Sequence, residues 1–88
     1  MSEYTLYILS CENGFLYTGI AVNVEKRFEL HQKGKGAKFT QKNKPIKIIY
    51  TEKFKNRSTA LKREAEIKKM DRKQKDDIIK KSFKHVNI

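Results

Sequence analysis

Three observations predict an α+β fold, a three-stranded antiparallel sheet flanked by helices in the order β-β-α-β-α-α. Two aromatic and apolar runs, at residues 4–9 and 15–20, are joined by a short turn containing Asn13-Gly14. A third such run, at 46–51, follows Pro45. The remaining chain holds three amphipathic stretches with residues suited to helix ends. At 88 residues a folded chain hides only roughly 60–65% of the surface that its unfolded form exposes, which leaves room for one core. The domain is expected to occupy residues 1–83, with 84–88 as a short C-terminal tail.

The first strand, Tyr4-Thr5-Leu6-Tyr7-Ile8-Leu9, has little polar alternation, which suits a central strand covered on both faces. The following hairpin decides where its aromatic residues point. If Glu12, Asn13 and Gly14 form a three-residue loop with Gly14 in the left-handed conformation, Leu9 faces Tyr17 and Tyr7 faces Gly19, so Tyr7 and Tyr17 share a sheet face. A two-residue loop at Asn13-Gly14 would put them on opposite faces. The three-residue loop is the expected register.

Asn23 is a good N-cap for a helix through Val24 and Phe28 to about Gln32, with Gly34 or Gly36 free to end it. On this helix Arg27 and His31 are four apart and lie one turn from each other on one face. Residues 33–44, with two Gly and five Lys, read as a loop or short irregular turn. Pro45 has no N–H to give to a ladder and marks the start of the third strand. Ser58 is expected to cap a second helix from Thr59 to about Met70. Asp71, with Gln74 three residues on, makes a capping-box-like start for a last helix to about Phe83, whose apolar stripe is Ile78, Ile79, Phe83 and Val86.

One residue of the second helix does not fit its surroundings. At about 100° per residue, Ala60, Leu61, Ile67 and Met70 fall to one side, and Glu64 projects inside that arc while Glu66 falls on the far side. An ionised carboxylate in a core-facing stripe costs on the order of several kcal/mol unless a cation, hydrogen bonds or a metal compensates. Glu64 therefore needs a partner or reaches water at the stripe edge.

Composition narrows the function. The chain holds 21 Lys plus Arg against 10 Asp plus Glu, a formal charge of +11. Residues 1–30 carry two basic side chains against four acidic, residues 31–57 nine against one, and residues 58–88 ten against five. A clustered surplus of this size concentrates polyanions, of which nucleic acid is the commonest, although a Lys-rich surface also serves solubility. A single cysteine, Cys11, excludes an intrachain disulfide and a Cys-based zinc cluster. No stretch approaches the ~20 apolar residues that cross a bilayer, and the N-terminus lacks the pattern of a signal peptide, so a cytoplasmic protein is expected.

Two phenols beside Gly19, the Arg27/His31 pair and the misplaced Glu64 are the parts needed to hydrolyse a phosphodiester: a metal-ligating carboxylate, a fixed positive charge and acid/base groups. Each has an ordinary structural reading as well, as sheet aromatics, surface residues or a salt-bridged carboxylate.

Taken together, Thr5-Leu6-Tyr7, then Tyr17-Thr18-Gly19, then Val24-Glu25-Lys26-Arg27-Phe28 with His31, and finally Ala60-Leu61-Lys62-Arg63-Glu64-Ala65-Glu66-Ile67-Lys68 resemble the GIY-YIG nuclease superfamily. In length and in the 31–38 and 60–68 blocks the chain is similar to the small stand-alone bacterial members; the resemblance covers about residues 4–81. Thr5, Leu6 and Thr18 depart from the signature triplets at positions that serve strand packing, and no reactive group is lost. The resemblance implies a metal-dependent endonuclease or exonuclease with Tyr7, Tyr17, Arg27, His31 and Glu64 as catalytic residues. It implies one Mg²⁺ or Mn²⁺ on Glu64. In this reading Gly19 permits close approach, and Lys33, Lys35, Lys38 and Lys42 hold the substrate backbone without reading sequence. The expected partner is nucleic acid, DNA ahead of RNA, with low sequence specificity, no membrane and no obligate protein partner. The competing expectation is a nucleic-acid-binding module of the same fold with little turnover.

Overall fold

The computed structural model describes residues 3–86. Its elements are β1 (Tyr4–Cys11), β2 (Leu16–Ala21), α1 (Val24–Gln32), α2 (Lys38–Lys42), β3 (Pro45–Phe54), α3 (Arg57–Lys69) and α4 (Arg72–Val86). The sheet is antiparallel in the order β2-β1-β3, which makes β1 central. The α+β architecture is the expected one, with a short helix added between α1 and β3.

The hairpin has the three-residue loop. The Cys11 N–H donates to the Phe15 carbonyl at 2.9 Å, and Gly14, at φ +84°, takes the left-handed conformation that glycine tolerates without steric cost. Leu9 pairs with Tyr17 and Tyr7 with Gly19, so alternate β1 residues divide the interior into two clusters. On one face Leu6 and Ile8 pack with Ile67 of α3 and Ile79 of α4. On the other, Tyr7 and Leu9 pack with Ala21 and Val24, with Tyr17, Phe28 and Ile48 closing around them.

Helix ends follow local chemistry. The Asn23 side chain accepts from the Lys26 N–H at 3.0 Å and starts α1. Its end is a Schellman motif: Gly34, at φ +77°, donates to His31 O, and the Lys35 N–H returns to Leu30 O at 2.8 Å. At α3 the cap is Asn56 and not Ser58, because the Asn56 carboxamide oxygen takes the Thr59 N–H at 2.9 Å and the helix begins at Arg57. The capping box of α4 forms in both directions, Gln74 N–H to Asp71 Oδ1 at 2.9 Å and Asp71 N–H to Gln74 Oε1 at 3.1 Å. Ile78 and Ile79 of the expected α4 stripe face the core. The Phe83 and Val86 side chains lie outside the described residues. The backbone of α4 continues to Val86, through most of the expected tail.

Residues 33–44 are not a plain loop, since Lys38–Lys42 form one helical turn. What orders it is tertiary: Thr40 is 2% exposed and bonded to His31. The Glu12 N–H also donates to Lys44 O at 2.9 Å, tying the hairpin loop to the chain entering β3.

Candidate active site

The edge strand β2 is reached by α1 from one side and by α3 from the other. Between the two helices runs an open cleft of about 630 Å³ lined by Tyr7 of β1, Tyr17 and Gly19 of β2, Arg27 of α1 and Glu64 of α3. Four of the five expected catalytic side chains therefore meet on one surface. They come from both faces of the sheet and meet at Gly19, where β2 has no side chain in the way.

That missing side chain is required by Tyr7. A Cβ at Gly19 would stand 2.6 Å from the Tyr7 hydroxyl and 3.1 Å from Tyr17 Cε2. Gly19 thus makes room for the phenols and also borders the cleft. The Tyr7 and Tyr17 rings lie 6.4 Å apart, tilted by 42°. Tyr7 is only 1% exposed, and Tyr17 is half-buried. Burial first, then the neighbouring Tyr17 phenol, raise the Tyr7 pKa well above its ordinary value, while the Arg27 cation pulls it down.

His31 is the fifth expected residue, and it sits behind the cleft. It is 1% exposed, with its ring centroid 5.0 Å from that of Tyr17. Nε2 lies 2.8 Å from the Tyr7 hydroxyl, and Nδ1 lies 2.8 Å from Thr40 Oγ1. Thr40 uses its one hydroxyl hydrogen on the Ala37 carbonyl at 3.1 Å, so its oxygen can only accept from His31. The chain of bonds therefore assigns the proton of a neutral His31 to Nδ1, and Nε2 accepts from the Tyr7 O–H. Burial and the nearby Arg27 lower the His31 pKa, which favours this uncharged ring. Gly36 closes the pocket, since a Cβ there would fall 2.2 Å from His31 Nδ1.

Glu64 has the cation that its position demanded. Lys68 Nζ stands 3.2 Å from Glu64 Oε2, one turn on, with the Glu64 side chain 17% and the Lys68 side chain 53% exposed. The pair does not withdraw Glu64 from the cleft, where it is the one carboxylate of the lining. Arg27 is exposed at the rim.

Sequence reasoning missed several contributors. Tyr4, Lys26 and Arg57 also line the cleft; Lys26 and Arg57 sit in the first turns of α1 and α3, where the caps at Asn23 and Asn56 could have located them. Thr40 gave no periodic signal. Of the four lysines expected on the substrate backbone, none lines this cleft. Lys33 and Lys35 are exposed just past α1, and Lys38 and Lys42 border a separate hollow beside Phe39.

A small basic α+β domain that gathers two phenols, a guanidinium and a carboxylate at a sheet edge belongs to a narrow class of proteins. The model of the GIY-YIG catalytic domain matches residues 3–77, and the chain belongs to that family, a branch of the nucleases. It is 47% identical over 83 residues to a UPF0213 protein of Syntrophus aciditrophicus, covering 93% of this chain and 95% of that one. A UPF0213 protein of Staphylococcus saprophyticus is 44% identical over 79 residues, covering 90% and 96%. Among solved structures, the chain resembles an Enterococcus protein, EF2693 from E. faecalis, with TM-score 0.65 and 38% identity over 94% of this chain and 88% of that one. A UPF0213 protein of Bacillus halodurans superposes with TM-score 0.58 at 33% identity, over 89% and 83%.

Proposed function

We propose that the protein is a metal-dependent nuclease that hydrolyses phosphodiester bonds in DNA with little intrinsic sequence specificity. The observation that carries this reading is the convergence of Tyr7, Tyr17, Arg27 and Glu64 on one cleft, with a proton acceptor hydrogen-bonded behind Tyr7.

A phosphodiester resists attack because its anionic oxygens repel the nucleophile and its alkoxide leaves poorly. Arg27 presents a planar, permanently charged fork to the non-bridging oxygens, a role that a lysine point charge fills less well. Tyr7 is the better-equipped base of the two phenols. Its pKa is raised, so it does not rest as phenolate, but its O–H already points at the vacant lone pair of His31 Nε2. As water attacks phosphorus, the water proton passes to the Tyr7 oxygen while the Tyr7 proton passes to His31. His31 thus acts through Tyr7, and Thr40 holds His31 in the accepting tautomer. Tyr17, more open to the cleft, orients the water.

Glu64 fits a divalent cation of one kind. It offers a single hard oxygen donor in an open cleft, and among the described residues no group of three or more His, Cys, Asp or Glu stands together. That donor set suits one Mg²⁺ or Mn²⁺, which keeps several waters and takes phosphate oxygens from the substrate. When bound, such an ion supplies charge neutralisation and stabilises the departing alkoxide. Lys68 pairs with the same carboxylate through Oε2 and competes with the cation for it. Weak binding of metal to the free protein follows, with affinity rising when nucleic acid is present. No described helix is long and apolar enough to cross a membrane, and the free Cys11 is buried, in keeping with work in the reducing cytoplasm.

The test is cleavage of plasmid and single-stranded DNA with Mg²⁺ or Mn²⁺ by the native protein, Glu64→Ala and Arg27→Ala. Metal-dependent cleavage lost in both variants, with binding retained, supports the reading. Equal nicking by all three identifies a contaminant. Binding without cleavage in the native protein overturns it in favour of a binding module.

A further inference from the structure

An aromatic ladder leaves the cleft at Tyr17, and the catalytic reading gives its rings beyond Tyr17 no task. Tyr17 stacks on Phe39 with centroids 5.9 Å apart and planes within 27°, and Phe39 in turn meets Phe15 at 6.1 Å and 47°. Tyr17 is half-buried, whereas Phe39 is 38% and Phe15 53% exposed, so the ladder opens to solvent as it goes. Its exposure is imposed by the fold. Buried Thr40 anchors the single turn of α2 to His31, and that leaves the preceding side chain, Phe39, facing out beside Tyr17. The three-residue hairpin loop delivers Phe15 beside it.

Cations flank the rings on both sides. One hollow, of about 390 Å³, is lined by Phe15, Leu16, Phe39, Arg72 and Lys75, and the next is lined by Phe39 with Lys38 and Lys42. Arg72 is held in place, its guanidinium donating to the Gly14 carbonyl and pairing with Asp76. Lys38, Lys42 and Lys75 enter no ion pair among the described residues.

We infer that the Tyr17–Phe39–Phe15 ladder is a stacking platform for unpaired nucleobases, so that the protein engages a single strand, flap or frayed end in preference to an intact duplex. Bases within a duplex already have both faces covered by their neighbours, and an aromatic ladder can take only a base whose face is free. Rings provide stacking without sequence readout, and the flanking lysines hold the phosphates between bases. Because Tyr17 belongs to both the ladder and the cleft, a strand lying on Phe15 and Phe39 leads its backbone toward Arg27 and Glu64. Lys38 and Lys42 thereby gain the substrate-backbone role outside the cleft. The direction of the strand rests on the nuclease reading; the platform itself does not.

The experiment measures binding without turnover. Glu64→Gln protein, without divalent metal, is titrated into dye-labelled 20-mers of one sequence: single-stranded, blunt duplex, and single-stranded with consecutive abasic sites. The single strand is expected to bind at least tenfold tighter than the duplex, and the abasic strand to lose that advantage. Phe39→Leu and Phe15→Leu, which keep apolar bulk and remove the ring, should each weaken single-strand binding about tenfold while changing duplex and abasic binding less than twofold. Thermal melts confirm that the variants fold. Equal affinity for all three ligands, or equal losses on all three in the folded variants, overturns the platform, as does a platform that captures protein and not oligonucleotide. Single-strand preference in a native protein that never cleaves would sink the nuclease reading alone. Cleavage without strand preference would sink the platform alone.

Discussion

The two faces of the sheet are built from alternate residues of the same strand and put to opposite uses. Leu6 and Ile8 look toward α3 and α4 into a cluster closed by Ile67 and Ile79, where contact is apolar and non-directional. Tyr7, one residue away, looks toward α1 into a chain of directed bonds through His31 and Thr40 to the Ala37 carbonyl. Burial is nearly complete on both sides, with Ile67 at 0% and His31 at 1% exposed. The apolar face can be repacked with side chains of similar volume at modest cost. The polar face cannot, because each group there fixes the hydrogen that the next one carries. Both faces carry apolar core, but the directed bonds and the proposed proton handling fall on the second alone, and the contrast is open to attack from either side.

The largest effects should separate the two. Tyr7→Phe keeps the ring and removes the proton relay, so DNA cleavage should fall about 10²–10⁴-fold, while circular dichroism shows the native fold. Ile67→Ala should do the reverse, lowering unfolding free energy by about 2–5 kcal/mol in urea titrations with cleavage per folded molecule unchanged. A variant of either face that lowered both quantities equally would break the division. Gly36→Ala comes next. Its methyl group must displace the imidazole, and overpacking of this kind costs about 1–3 kcal/mol; ¹⁵N spectra of His31 should also lose the Nδ1–H tautomer signature.

A smaller change marks a flaw on the apolar face. Thr18 pairs with Ile8, is 4% exposed, and its hydroxyl has no hydrogen-bond partner among the described residues. An orphaned buried hydroxyl costs about 1–3 kcal/mol, so Thr18→Val should raise stability by about 1 kcal/mol, read from the denaturation midpoint, and leave cleavage intact. The smallest effect is a pH dependence. The His31 pKa is lowered in the fold, so below the ordinary histidine value of about 6.5 the unfolded chain takes up a proton first. Stability is then full above that pH and falls as pH drops toward the folded pKa. His31→Gln should flatten that part of the slope between native and variant proteins.

Much of this was legible in the sequence because it depends on period. A two-residue repeat placed Tyr7 and Tyr17 together once the hairpin loop was taken as three residues, and a 3.6-residue repeat exposed Glu64 as the odd member of its stripe. The Lys68 partner of Glu64 lies at i+4 and follows from the same repeat. Thr40 was not legible, because it meets His31 across an irregular segment with no period, and a five-residue helix carries too few positions to show a face. The cap at Asn56 was displaced to Ser58 because both residue types can cap, and only the bond to Thr59 N–H decides between them. Strand β3 runs on to Phe54 because pairing with β1 extends to Tyr4, although the edge strand mixes in charged Glu52 and Lys53.

Surface loops ordinarily tolerate changes in length, since they carry little of the fold's energy. The turn between β1 and β2 is an exception of an unusual sort. Adding or deleting one residue among Glu12, Asn13 and Gly14 would leave every reactive group in the chain, yet it would rotate Tyr17 and Gly19 out of phase with Tyr7. The number of residues in that turn, with a glycine able to take the left-handed conformation at its third position, thus bears on the site as directly as any side chain in the cleft.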